Sequence, residues 1–128
     1  MKKKLELHIP NNIVPYPMEY EISAAMLLMN FFDSDVTFIK RTPNSKMADF
    51  KILDQIWELK SPIGDSSRTI QNNLRKANKQ SSNIIIDLRR CKMRDLQALN
   101  RIKYGLSKVN SIKRMIVIKK NGDIIVLK

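Results

Sequence analysis

Between residues 18 and 32, apolar side chains recur at helical spacing: Ile22, Ala25, Met26, Met29 and Phe32. This is the stripe of an amphipathic helix, and Asp33-Ser34 ends it. Val36-Thr37-Phe38-Ile39 reads as a short strand, and Arg41 to Lys46 as a turn. Two further strands are predicted near 48–53 and 55–60, joined tightly at Leu53-Asp54-Gln55. Pro62-Ile63-Gly64-Asp65 is a loop. Ser66 or Ser67 is expected to cap a helix over about 67–81, with Ile70, Leu74 and Ala77 as a narrow apolar stripe. Ile84-Ile85-Ile86-Asp87-Leu88 is a continuous apolar run, the pattern of a central strand covered on both faces. Asp95 to Tyr104 is predicted helical, with Leu96, Leu99 and Ile102 on its face. The chain then gives Met115 to Ile118 and Ile124 to Leu127, flanking Asn121-Gly122, a hairpin signal. Upstream, Pro10, Pro15 and Pro17 with Asn11-Asn12 mark residues 1–17 as an extended arm.

The order from residue 18 onwards is αβββαβ, followed by a helix and a β-hairpin. Mixed order with helices on either side of strands predicts an α+β fold, an α/β sandwich around a mixed sheet. A chain of 128 residues builds one core, so residues 18–128 are expected to form a single domain behind the arm.

Composition narrows the class. The one cysteine, Cys91, excludes an internal disulfide framework and a multi-cysteine zinc site. No run of about 20 apolar residues offers a membrane span. Lys2-Lys3-Lys4 is followed by Leu5-Glu6-Leu7-His8, too short and too polar for a signal peptide, so the domain is expected to act in a cytosol. The net charge is +12, and it is unevenly placed. Residues 1–65 carry eight Lys/Arg and nine Asp/Glu, a balance of −1; residues 66–128 carry sixteen and three, a balance of +13. A surface of that kind suits a polyanion. Lys46, Arg68, Arg75, Lys76, Lys79, Arg89 and Arg90 are the candidate phosphate contacts.

The acids lie where the chemistry is expected. Asp49 falls in one of the two adjoining strands, and Glu58-Leu59-Lys60 in the other. Alternate strand residues share a face, so Glu58 and Lys60 point the same way and Trp57 and Leu59 the other. Carboxylates on adjacent strands can ligate a hard cation such as Mg²⁺ or another divalent ion. Asp49 and Glu58 are the candidate metal ligands, with Lys60 orienting water or neutralising developing charge. An exposed strand ion pair would have the same Glu58-x-Lys60 spacing. Glu21, with Glu19 nearby, is a candidate third acid, or else a helix N-terminal carboxylate favoured by the dipole. Gln80, with Lys76 one turn earlier, is a candidate phosphate contact. The single histidine, His8, sits in the arm and reads as an exposed residue. Cys91 has no histidine near it in sequence and does not read as a nucleophile.

Several blocks resemble the tRNase toxin domains at the C-terminus of contact-dependent growth-inhibition (CdiA) proteins. They are Glu21-Ile22-Ser23-Ala24-Ala25, Asp35 to Ile39, Lys46 to Phe50, Trp57-Glu58-Leu59-Lys60-Ser61-Pro62, Arg68 to Leu74, Lys76 to Ser81 and Asn83 to Arg90. Asp49 with Glu58-x-Lys60 also resembles the PD-(D/E)XK nuclease signature, although Ala48 stands where that signature has proline. The resemblance covers a little over half the chain. It implies an RNase toxin that cleaves tRNA in a competitor's cytosol after delivery within a larger protein. It implies Asp49, Glu58 and Lys60 as the catalytic cluster, supported by Glu21 and Gln80, and a cognate immunity protein. That partner is expected to be acidic, because it must mask a cationic face.

Three alternatives stay open at this point. One is a metal-independent RNase toxin of barnase/EndoU/colicin/RelE-like fold. Another is a non-catalytic basic nucleic-acid-binding module. The third is a DNase or junction resolvase, because nothing in the chain reports a preference for the 2′-OH.

Overall fold

In a computed structural model, residues 4–40 and 48–128 are described. The expected turn over Arg41 to Lys46 lies outside them. The elements run β1 (Leu7–His8), α1 (Glu19–Phe32), β2 (Val36–Phe38), β3 (Phe50–Ile52), β4 (Gln55–Lys60), α2 (Thr69–Asn78), β5 (Asn83–Asp87), α3 (Asp95–Lys108), β6 (Arg114–Ile118) and β7 (Ile124–Val126). The α+β expectation holds, and α1 to β5 spell αβββαβ.

All seven described strands join one mixed sheet in sequence order. β1 is parallel to β2, and β2, β3 and β4 are antiparallel neighbours. β4, β5 and β6 are parallel, and β7 returns antiparallel on β6. The segment read as an extended arm thus contributes an edge strand, with Leu7 opposite Val36. Such a two-residue pairing leaves no alternation to read in sequence.

Parallel strands need crossovers, and α2 and α3 supply them. Both cover one face of the sheet; α1 covers the other. β5 shows why its run is continuously apolar. Ile84 and Ile86 pack with Ile70, Leu74, Ala98 and Ile102 on the α2–α3 side, while Ile85 packs with Ala24, Leu28, Trp57 and Leu59 on the α1 side. A strand buried on both faces cannot alternate with polar residues.

Local chemistry sets the ends. Leu53 and Asp54 both adopt left-handed φ, 49° and 63°. Two such residues match the right-handed twist of the flanking strands in a two-residue hairpin. Gly122 takes φ 91° in the β6–β7 turn, where its N–H donates to Lys119 O at 2.9 Å. The Asn-Gly signal therefore sits inside a five-residue connection rather than forming a two-residue turn.

Some expectations need correcting. Met26, counted on the α1 face, is exposed, and Leu28 takes the buried place. Leu96 is likewise exposed; Ala98, Ile102 and Gly105 form the buried face of α3, which continues to Lys108. Neither Ser66 nor Ser67 is the cap of α2. Arg68 occupies that position without a side-chain hydrogen bond, and Ser66 contributes its carbonyl to the Thr69 N–H at 3.1 Å.

Candidate active site

The sheet forks at the carboxylates. β3 pairs with β4 through Ile52↔Gln55, Lys51↔Ile56 and Phe50↔Trp57. Beyond Trp57, β4 pairs with β5 on its other side, through Glu58↔Ile84, Leu59↔Ile85 and Lys60↔Ile86. Asp49 stands just before the last β3 pair. Its N–H donates to Trp57 O at 3.0 Å, and its Oδ2 accepts the Leu59 N–H at 2.9 Å. Its backbone and side chain thus hold β4 on both sides of Glu58.

Alternation in β4 then fixes the faces. Trp57 and Leu59 enter the α1-side core. Glu58 and Lys60 point to the opposite face, where Lys60 Nζ lies 3.2 Å from Glu58 Oε2. The Glu58 carboxyl also shares a hydrogen bond with the side chain of Asp49. Glu58 is only 3% exposed and Asp49 5%. Burial, and then the neighbouring Asp49 carboxylate, push the Glu58 carboxyl up from 4.5 to about 8; Lys60 pulls the other way. An exposed strand ion pair would have neither this burial nor this shift.

Glu21 comes from the first turn of α1. One of its oxygens accepts the Met18 N–H at 2.9 Å, so it caps its own helix. Its side chain also lines a small crevice of about 60 Å³ with Asp49, Phe38, Pro15 and Pro17. The structure therefore brings Glu21 to the crevice beside Asp49, in the same position where its capping role is satisfied.

Gln80 follows the last turn of α2, its N–H donating to Ala77 O at 2.9 Å. Its Oε1 is buried and makes no hydrogen bond, so it is not joined to the cluster by one. Ser81 next to it anchors this end of α2 to β4 through Ile56 O at 2.9 Å. Among the described residues no group of three His, Cys, Asp or Glu side chains is arranged to hold a metal ion. Among the described residues, Asp49 and Glu58 bring two carboxylates to the fork.

The candidate phosphate contacts separate into two kinds. Arg68, Arg75, Lys76 and Lys79 are exposed along α2. Arg89 is instead committed to protein. Its Nε and Nη2 donate to the two oxygens of fully buried Asp87 at 3.0 and 2.8 Å, Nη1 to Ser23 Oγ at 2.7 Å, and Nη2 also to Tyr20 O at 3.0 Å. Arg90 lies over the Tyr20 ring, 3.6 Å from its centre, and donates to Ser61 Oγ at 3.2 Å. Lys46 lies outside the described residues. The Asp87-x-Arg89 spacing was a readable signal for the clamp; its α1 acceptors, more than sixty residues earlier in the chain, were not.

His8 is not isolated: its Nε2 lies 3.0 Å from Asp35 Oδ2. Cys91 is buried, its thiol donating to Gly64 O at 3.4 Å. A larger hollow of about 530 Å³, between Phe31, Trp57 and Val126, lies away from the carboxylates.

The family model of the contact-dependent growth inhibition CdiA C-terminal domain matches residues 46–124. No curated protein matches the sequence at a significant level. Among solved structures, a chain of the CdiA-CT/CdiI toxin and immunity complex from Burkholderia pseudomallei has a similar fold, with a TM-score of 0.64. The two are 22% identical, and the likeness covers 97% of this chain and 98% of that one.

Proposed function

Because the chain belongs to the contact-dependent growth inhibition CdiA C-terminal domain family, the toxin domains of interbacterial competition, we propose that it is a nuclease that cleaves tRNA with Asp49, Glu58 and Lys60. The observation that carries this reading is the buried pair of carboxylates at the β3–β4 fork with a lysine 3.2 Å from one of them. Two buried acids beside each other are costly, and neither core packing nor the sheet ladder requires Glu58 there.

The donor set fits a divalent cation. Asp49 and Glu58 offer hard carboxylate oxygens, buried and in direct contact with each other, so that a cation could take the place of the proton between them. Mg²⁺ is commonly bound through one or two carboxylates while keeping several waters. Such an ion, when bound, supplies Lewis-acid polarisation of a phosphoryl oxygen and a more acidic water. The chain's own part is then clear. Asp49 and Glu58 hold and orient, with Asp49 fixed by the Leu59 N–H. Lys60 presents a charged donor to the phosphate oxygens or to the attacking water. The Asp49, Glu58-x-Lys60 arrangement resembles the PD-(D/E)XK signature, with Ala48 in place of its proline.

A second reading rests on Glu58 itself. With its carboxyl pushed up to about 8, Glu58 is protonated at neutral pH and can serve as a general acid beside Lys60 without any ion. The RNA's own 2′-OH would then be the nucleophile. The deciding experiment incubates total tRNA with wild type and Glu58→Gln, with Mg²⁺ or with excess EDTA, and maps the product ends. The metal reading expects cleavage by wild type with Mg²⁺ alone. Undiminished cleavage in EDTA selects the general-acid reading. Cleavage by Glu58→Gln at the wild-type rate removes both.

The proposed setting is the cytoplasm of a target bacterium, after delivery within a larger protein. A cognate immunity protein would neutralise the toxin, and the +12 net charge favours an acidic one. No helix among the described residues is long and apolar enough to cross a membrane.

A further inference from the structure

A groove runs along the outer side of the α2–α3 pair, on the face away from the sheet. It is made of two adjoining hollows of about 420 and 340 Å³ that share Gln71 and Tyr104. Each is within the range of small-ligand sites. The helices approach closely because Gly105 faces Leu74: a Cβ at Gly105 would stand 2.3 Å from Leu74 Cδ1. Leu74 and Val109 give the floor its apolar character.

Its walls are selective. Arg75, Lys79, Lys108 and Arg101 line it, and among the described residues no acid does. Gln71, Gln97, Asn78 and Asn100 add carboxamides, which can both donate and accept. Tyr104 stands between the two hollows, 55% exposed, with Lys108 Nζ 5.3 Å from its ring centre. An exposed tyrosine with a lysine near its ring, on a surface rich in cations, offers a stacking platform. Arg101 donates to Ser67 O through Nη1, while its Nε is buried without a hydrogen bond.

Cations without acids call for a polyanion, a flat ring for another flat ring, and carboxamides for groups with mixed donors and acceptors. Unpaired nucleotides meet all three requirements. We propose that the α2–α3 groove binds unpaired nucleotides of the RNA substrate, with a base stacked on Tyr104 and phosphates on Arg75, Lys79 and Lys108. The site is separate from the catalytic fork: α2, about 10 Å across, stands between them. It would hold a single-stranded stretch while a phosphate several nucleotides along the strand lies at Glu58 and Lys60. This inference rests on the nuclease reading for the identity of the polyanion.

The test uses binding, so that it stands apart from cleavage. In a Glu58→Gln background, anisotropy of a labelled unpaired oligoribonucleotide and of an RNA duplex is measured for proteins with Tyr104 intact, Tyr104→Phe and Tyr104→Ala. The expected result is tighter binding of the unpaired strand, retained by Tyr104→Phe and weakened about 5- to 100-fold by Tyr104→Ala. Lys108→Ala should lower the slope of log affinity against log salt by about 0.7. Unchanged affinity in Tyr104→Ala overturns the inference, and so does an effect of that substitution confined to binding the immunity protein. Groove binding of RNA by a chain that never cleaves it would remove the nuclease reading and leave the groove standing. Cleavage of tRNA with unaltered affinity in the groove variants would do the reverse.

Discussion

The carboxylate of Asp49 accepts the backbone N–H of Leu59 at 2.9 Å, where β3 has ceased to pair with β4. A side chain thus does the work of a missing ladder bond, and it places its negative charge against Glu58. The same contact that closes the fork raises the proton affinity of Glu58. Structure and chemistry at this site are therefore coupled, and substitutions can separate them.

Asp49→Asn is the first separation. The amide oxygen can still accept the Leu59 N–H, so stability should stay within about 1 kcal/mol of wild type. The charge is lost, so the Glu58 carboxyl should titrate lower, and cleavage should fall at least ~100-fold. Asp49→Ala removes the acceptor as well and should cost roughly 1–3 kcal/mol. Urea denaturation and tRNA cleavage measured on both variants check this. Equal stability of the two would show that the Leu59 bond contributes nothing.

Glu58 also sets a pH dependence of stability. Below its unfolded value of 4.5 the carboxyl is protonated in both states. Between 4.5 and about 8 the folded chain keeps a proton that the unfolded chain has released. Its contribution to stability therefore falls as pH rises through that window and levels off above it. Glu58→Gln has no such titration. It should flatten the profile and be more stable than wild type at alkaline pH, by an amount on the order of 1–3 kcal/mol. Denaturation midpoints from about pH 5 to about pH 9 provide the comparison. Parallel profiles for the two proteins would contradict the shift.

Cation binding should release a proton for the same reason. A ligating carboxylate must be ionised, and at neutral pH Glu58 is not. Calorimetric titration with Mg²⁺ in buffers of different ionisation heat should show close to one proton released, on the order of one per ion. Affinity should rise with pH up to about 8. Lys60→Ala removes the charge that favours the ionised form, and should move that rise to higher pH. Binding with no proton release would place the cation away from Glu58.

How much of this was readable depended on the range of the determining contacts. Period-two alternation in β4 was enough to put Glu58 and Lys60 on one face, and the unbroken run of β5 announced a strand covered on both sides. Asp49 could be placed near them because one short turn separates its strand from β4. The faces of α1 and α3 were harder. Met26 and Leu96 are apolar at helical spacing, yet both are exposed; where each helix turns its face is set by the sheet it packs on. The α2–α3 groove depends on the close approach at Gly105, which no local pattern encodes. Arg89 illustrates the same point for charge. In sequence it is one more cation in a basic stretch; in the fold it ties the end of β5 to the backbone and side chain of α1.

Arg89 should accordingly behave as a structural residue, unlike Arg75. Asp87 is fully buried, and both of its oxygens accept from the Arg89 guanidinium. Removing one member of such a pair leaves a buried charge unpaired, at a cost of roughly 3–5 kcal/mol. Arg89→Ala should therefore lower the unfolding midpoint strongly. Arg89→Lys should recover only part, because an ammonium cannot serve both carboxylate oxygens, Ser23 Oγ and Tyr20 O together. Asp87→Ala combined with Arg89→Ala should cost less than the two single losses added, since neither charge is then stranded. Arg75 is exposed, and Arg75→Ala should change stability by no more than about 0.5 kcal/mol while weakening RNA binding. Thermal unfolding and RNA anisotropy on wild type and these five variants, Asp87→Ala alone included, distinguish the roles. Near-wild-type stability of Arg89→Ala together with weakened RNA binding would return Arg89 to the nucleic-acid surface.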